Sequence, residues 1–426
     1  MWLRINAPTA DLPSHITFSG SILTDEGNQC HNSRSKALFN EWYPDQWRIT
    51  NYNPILPYIK YICFKIFGVG LLQLRAISFL FAFLTLLFFY FTLKSYMTPQ
   101  IRYAILGTLL LGINFFYVMY NKIGTFETPM IFWAILTLYF LEKYRAKDKA
   151  YFLFFAGASA SMAFVFKNIM VYVIPLPLAA YFVFSLLGKN KQQLQLKKIF
   201  TSMIYILMGI AVVYIPWYLF HYLPNKEWIS STPGKFMGNL MFPKNINSAY
   251  SNILGFNWKD QFYKIPVIWA GAILYIPFFI RRLLNKMTNI TEIGYLLFFF
   301  GHTSIFMVMS YRPTRYFVPV IPIMTFLIVL LIKKVSTQKI SINNPPKPWK
   351  RNVIFLVDAL WLALSSYYCF LPLISTYFYT VRIPSLSLYY FLLATMVIGI
   401  IYLIKRLYQK LVLVKPKITI FTVPCI

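Results

Sequence analysis

"TPMIFWAILTLYFL", residues 128–141, decides how this chain is read. Its 14 residues fall short of the roughly 20 that an α-helix needs to cross a bilayer, so length alone permits a buried or re-entrant segment. The next residues, "EKYRAKDK" (142–149), are strongly basic, and basic linkers between apolar runs mark the cytoplasmic side of a membrane protein. Counting 128–141 as a span keeps the basic linkers on one side; omitting it breaks the alternation.

Ten other apolar runs lie at about 72–93, 102–120, 150–166, 168–187, 199–222, 262–280, 290–309, 317–332, 352–374 and 387–404. The expected fold is therefore an all-α polytopic membrane protein with about eleven transmembrane helices and short amphipathic helices in its loops. Composition agrees. Of 426 residues 58% are hydrophobic, 19% aromatic and only 12% charged, against roughly 25% charged in a soluble domain. Lys and Arg number 41 against 12 Asp and Glu, a net charge of +29. In a soluble chain that excess would point to nucleic acid. Here the basic residues cluster between apolar runs with no arginine-rich or RNA-type motif, which excludes nucleic acid and makes the membrane the partner. Cys30, Cys63, Cys369 and Cys425 show no paired spacing, so neither a zinc ribbon nor a disulfide framework is read.

The alternation divides the chain into a first extracytoplasmic loop (1–71), an N-terminal transmembrane bundle (72–222), a second long extracytoplasmic loop (223–261) and a C-terminal bundle (262–426). The internal linkers and tail hold most of the basic residues and three acids, Glu142, Asp148 and Glu292; most other acids fall on the opposite side. Function is expected there, on the extracytoplasmic face of the cytoplasmic (inner) membrane. The first 30 residues lack the apolar core of a signal peptide. Segment 1–71 must reach the far side with no spanning helix ahead of it, and the chain reads as lacking a first transmembrane helix.

On that face the acids are few and specifically placed. Asp25 and Glu26, in "ILTDEGNQCHNSRSK" (22–36), precede a helix-compatible run and taken alone read as a helix cap. Glu127, in "YNKIGTFETPMIFW", stands at the membrane boundary, where an acid needs a partner or a purpose. Its ordinary reading is a first-turn residue beside Pro129. Lys167, in "AFVFKNIMVY", either snorkels to the interface or neutralises phosphate. Arg312 and Arg315, in "SYRPTRYFVP", crowd two guanidiniums into one turn where positive-inside logic gives no reason for them, and paired guanidiniums suit phosphate. Together these residues form a toolkit for transfer from a lipid phosphate, with carboxylates to accept a proton and cations to hold the leaving group.

In order along the chain, "TDEGNQCHNSRSKALFNEW" (24–42), "YNPILPYIKYICFKIFGVGLLQLRAISFL" (52–80), "GTFETPMIFW" (124–133), "FVFKNIMVYVIPLP" (164–177) and "YRPTRYFVPVIPIM" (311–324) resemble the GT-C membrane glycosyltransferases. The resemblance is to the protein mannosyltransferase and lipid A aminoarabinose transferase superfamily. It implies transfer of a sugar from a polyprenyl-phosphate donor to a lipid, glycan or protein acceptor outside the membrane, usually with inversion. By the same resemblance Asp25 is the catalytic acid of the first loop, taking the base role, with Glu26 beside it. Glu127 matches the second-loop acid, and Lys167, Arg312, Arg315 and Tyr316 match substrate-binding positions. The family usually has an aromatic residue where this chain has Gln29, and a spanning helix before the first loop. The chemistry admits a divalent metal, and no motif indicates one. Two rivals remain at this stage: a flippase for lipid-linked saccharide, and an inactive scaffold descended from the enzyme. A flippase would want charged groups deeper in the spans, whereas Asp358, near the start of 352–374, is nearly the only acid within one.

Overall fold

The computed structural model describes residues 22–42, 53–187, 196–227, 246–254, 288–310 and 314–337, with Ala272, Tyr275, Ile276, Phe279 and Arg282 between them. The expected spans 352–374 and 387–404, most of 262–280, Arg312 and Asp358 lie outside the described residues, and Asp25 is described only as helical backbone. Residues 257–270 and 338–426 also lie outside the described residues.

The described elements are helical throughout. Two helices precede the first long span, α1 (Ile22–Phe39) and α2 (Ile55–Phe67). They pack together, with the Ser33 hydroxyl donating to the Pro57 carbonyl at 2.9 Å. The "FGVG" turn follows, where Gly68 takes a φ of 82°, a left-handed conformation that disfavours side chains. Next comes α3 (Leu71–Met97), 27 residues long, about 40 Å at 1.5 Å per residue.

The single helix expected over 102–120 is instead two, α4 (Ile101–Gly112) and α5 (Phe115–Asn121). Asn114 explains the break: its side-chain oxygen accepts the Tyr117 N–H at 2.9 Å, starting a new helix. The doubtful run 128–141 becomes the 21-residue α6 (Glu127–Lys147). It lengthens by absorbing "EKYRAK" at its C-terminal end, where Arg145 and Lys147 complement the helix dipole, and those charges keep it out of the stretches apolar enough to cross a membrane. Pro129 sits in the first turn, where no intrahelical N–H is needed.

After α7 (Tyr151–Phe166) a 3-10 turn (Asn168–Val173) leads into α8 (Leu176–Leu187). Helix α9 (Leu196–Trp217) continues through a π turn (Tyr218–Tyr222), and α10 (Ile246–Leu254) lies within the expected second long loop. Helix α11 (Ile290–Val308), a 3-10 turn (Thr314–Phe317) and α12 (Val320–Thr337) complete the described chain. Among the described residues four stretches, Leu71–Met97, Asn168–Leu186, Lys197–Asn225 and Ile290–Val308, are long and apolar enough to cross a membrane. The chain is a multi-pass membrane protein.

Close backbone approach joins α7 to α9. A Cβ on Gly157 would lie 2.3 Å from the Ile206 carbonyl oxygen, and one on Gly209 would lie 2.0 Å from that of Phe154. Small residues allow that proximity where no hydrophobic force drives helices together. Phe200, Leu207, Met208, Val212 and Ile215 of α9 are exposed, as a lipid-facing surface requires. Elsewhere aromatic rings interlock, with Tyr295 of α11 stacked on Phe326 of α12 at 3.7 Å.

Two acids expected in linkers prove to be helical and buried. Glu142 of α6 accepts from Ser95 of α3 (2.6 Å), Thr291 of α11 (2.7 Å) and Arg145 (2.6 and 2.7 Å). Glu292 of α11 accepts from Tyr275 and Tyr96 and pairs with Arg282 at 3.2 Å. A carboxylate so fully bonded joins three helices without leaving a lone buried charge.

Candidate functional site

The other ends of α3 and α6 meet α1, α2 and the turn 122–126. Glu26 of α1 is buried, and Arg75 of α3 grips both of its oxygens, Nε to Oε1 at 3.0 Å and Nη2 to Oε2 at 2.8 Å. Oε1 also accepts the Gly124 N–H at 2.7 Å. Only a glycine fits there, because a Cβ would stand 2.5 Å from Leu74 Cγ and 3.0 Å from Glu26 Oε1. The Gly124 carbonyl meets Lys60 of α2, which donates to it at 2.8 Å and to the Gln29 carbonyl at 3.1 Å. The Gln29 side chain accepts the Phe126 N–H at 3.0 Å. Gly124 is thus held at both its N–H and its carbonyl, and the segment entering Glu127 is tied to the start of α1. Burial lowers the Lys60 pKa to about 8 from its ordinary 10.5, with Cys30, Glu26 and Glu127 acting against that shift.

Glu127 opens α6 immediately beyond this knot. Its Oε1 is bonded by Lys167 Nζ, and Arg315 Nε stands 3.3 Å from the same oxygen. The acid side chain is only 1% exposed, whereas those of Lys167 and Arg315 are 13% and 12% exposed. The carboxylate is therefore enclosed and its two cations reach outward. Oε2 of Glu127 is buried and accepts no hydrogen bond from the described residues. The Tyr316 ring lies under both cations, 4.4 Å from Lys167 Nζ and 5.3 Å from the Arg315 guanidinium carbon. Tyr316 itself is held by its carbonyl, which faces His302 Nε2 at 2.7 Å.

Of the residues expected from sequence, Glu127, Lys167, Arg315 and Tyr316 come together in one cluster. Glu26 stands in the adjoining knot, and Asp25 is its neighbour on α1. Glu26, expected to share the catalytic role, has a carboxylate held by three hydrogen bonds. Sequence reasoning missed Lys60, Arg75, His302 and Tyr172. The first two carried a usable signal: like Arg315, they are cations on the side where charge topology gives them no reason to be. Among the described residues no group of three or more His, Cys, Asp or Glu is arranged to hold a metal ion.

Residues 51–218 match the family model described as dolichyl-phosphate-mannose-protein mannosyltransferase. The structure is similar to that of ArnT from Cupriavidus metallidurans bound to undecaprenyl phosphate. The TM-score is 0.55 at 16% identity, over 89% of this chain and 66% of that one. Against the same protein in its apo state the TM-score is 0.51 at 16% identity, over 90% and 67%. This chain spans about two thirds of the length of that protein. No curated protein matches it in sequence. The likeness is one of fold, shared with ArnT.

Proposed function

We propose that this chain, built on the GT-C fold, transfers a sugar from a polyprenyl-phosphate donor to a lipid, glycan or protein acceptor on the extracytoplasmic face of the inner membrane. The observation that carries the reading is the Glu127, Lys167 and Arg315 cluster, in which one buried carboxylate draws together two cations that reach the surface. Adjacent cations suit a phosphate on which negative charge builds as its bond to the sugar breaks.

An acceptor oxygen attacks the anomeric carbon while the bond from that carbon to the phosphate oxygen breaks, and the polyprenyl phosphate leaves with the electron pair. Lys167 and Arg315 offset its charge, with Tyr316 beneath them. The proton of the acceptor passes to Asp25, whose neighbour Glu26 anchors the start of α1 through Arg75 and Gly124. No nucleotide enters the reaction. The flippase reading finds less support, since the buried acids Glu142 and Glu292 lie near the other ends of their helices and are bonded to side chains there.

Asp25→Asn tests the proposal. Sugar transfer from a polyprenyl-phosphate donor, assayed in reconstituted membranes, should vanish while the amount of folded protein is unchanged. Full transfer by that variant would remove Asp25 from the base role.

A further inference from the structure

We infer that His302 of α11 is a positioning residue of the phosphate site: its imidazole links the turn behind Lys167 to the turn carrying Arg315 and so sets the spacing of the two cations. The inference rests on the proposed use of those cations. Lys167 leads into the 3-10 turn Asn168–Val173, and Arg315 belongs to the turn Thr314–Phe317, two segments far apart in sequence. Each contributes a tyrosine, and both tyrosines meet the same ring. The Tyr172 hydroxyl is hydrogen-bonded to His302 Nδ1, and His302 Nε2 lies 2.7 Å from the Tyr316 carbonyl oxygen.

A carbonyl can only accept, so Nε2 carries the proton; Nδ1 of the neutral ring then accepts the Tyr172 O–H, for which it is a stronger acceptor than Met170 Sδ, 3.0 Å from the same hydroxyl. The ring has little room to turn. It stacks on Phe298 and Phe306, within 12° and 14° of parallel, and the Tyr172 ring packs edge-on against Phe298. A phenylalanine would fill this apolar position equally well. What histidine adds is one hydrogen bond to each turn. Because the Tyr316 ring lies 4.4 Å from Lys167 Nζ, the bond to the Tyr316 carbonyl fixes the platform that both cations share.

The test measures binding to the purified protein in lipid nanodiscs, with undecaprenyl phosphate as one probe and undecaprenol, which lacks the phosphate, as the other. His302→Phe should bind the phosphate about tenfold more weakly, the upper end of what one neutral hydrogen bond contributes. Its affinity for the alcohol should not change. His302→Gln should recover much of the loss, because its amide can donate to the carbonyl and accept from the hydroxyl. Tyr172→Phe deletes one oxygen and should repeat the phosphate-specific loss even if His302→Phe fails to fold. Phosphate binding at the wild-type level in either phenylalanine variant overturns the inference, as does an equal loss for both probes. A wild-type protein that does not prefer the phosphate overturns the proposed function itself, a result distinct from the other two.

Discussion

Replacing Arg75 with Met should destabilise the protein by about 3–5 kcal/mol, the usual cost of removing one partner of a buried ion pair. The figure follows from what the substitution leaves behind. Glu26 loses two charge-assisted hydrogen bonds, at 3.0 and 2.8 Å, and keeps only the Gly124 N–H. The Glu26 side chain is 3% exposed, so water cannot replace the guanidinium. Methionine nearly matches the volume of the arginine stem, which confines the effect to charge and hydrogen bonding. The assay is the thermal midpoint of the detergent-solubilised protein, followed by size-exclusion chromatography of the heated samples. Glu26→Gln and the double variant complete a cycle. Removing both charges should be less damaging than the sum of the single changes. An Arg75→Met midpoint equal to wild type, or strict additivity in the cycle, would refute the reasoning.

Lys60 yields a pH prediction. The unfolded lysine keeps its proton up to about 10.5 and the folded one only to about 8. Within that window the unfolded state binds the extra proton, so the Lys60 contribution to stability rises with pH by about 3 kcal/mol, and the full penalty of the buried charge is present below it. The midpoint difference between wild type and Lys60→Met should shift accordingly between pH 8 and 10.5, and a flat difference would contradict the assignment. Gly124→Ala pushes a methyl group against Leu74 and Glu26. It should cost about 1–3 kcal/mol and lower sugar transfer, whereas a fully active, equally stable variant would show that the turn has slack. Lys167→Ala and Arg315→Ala should each raise the apparent KM for the lipid donor more than they lower kcat. An unchanged KM would take that residue out of the phosphate site.

Much of the fold was legible along the chain because membrane insertion depends on local sums of hydrophobicity. The run 128–141 was rightly counted as a helix on the strength of the charges beside it, yet its true length came from "EKYRAK", which reads as linker by composition. The break at Asn114 was hidden in an apolar run, since one side-chain cap is invisible to a hydropathy sum. At the site, Glu127, Lys167 and Arg315 each stood out as a charge at a membrane boundary. That Glu26 would be bound by Arg75 and Gly124 could not be read along the chain, because it depends on where α3 and the 122–126 turn lie.

The apolar runs by themselves determined that this is a multi-pass helical membrane protein, because backbone polar groups in a bilayer must be bonded within the segment and helices do so. Pairing was decided only in three dimensions. Glu26 meets an arginine 49 residues away, Glu127 meets a lysine 40 residues away, and His302 gathers two turns 130 and 14 residues distant. Hydrophobicity adds up along a segment, whereas an ion pair or hydrogen bond exists only when neighbouring helices bring two atoms within about 3 Å.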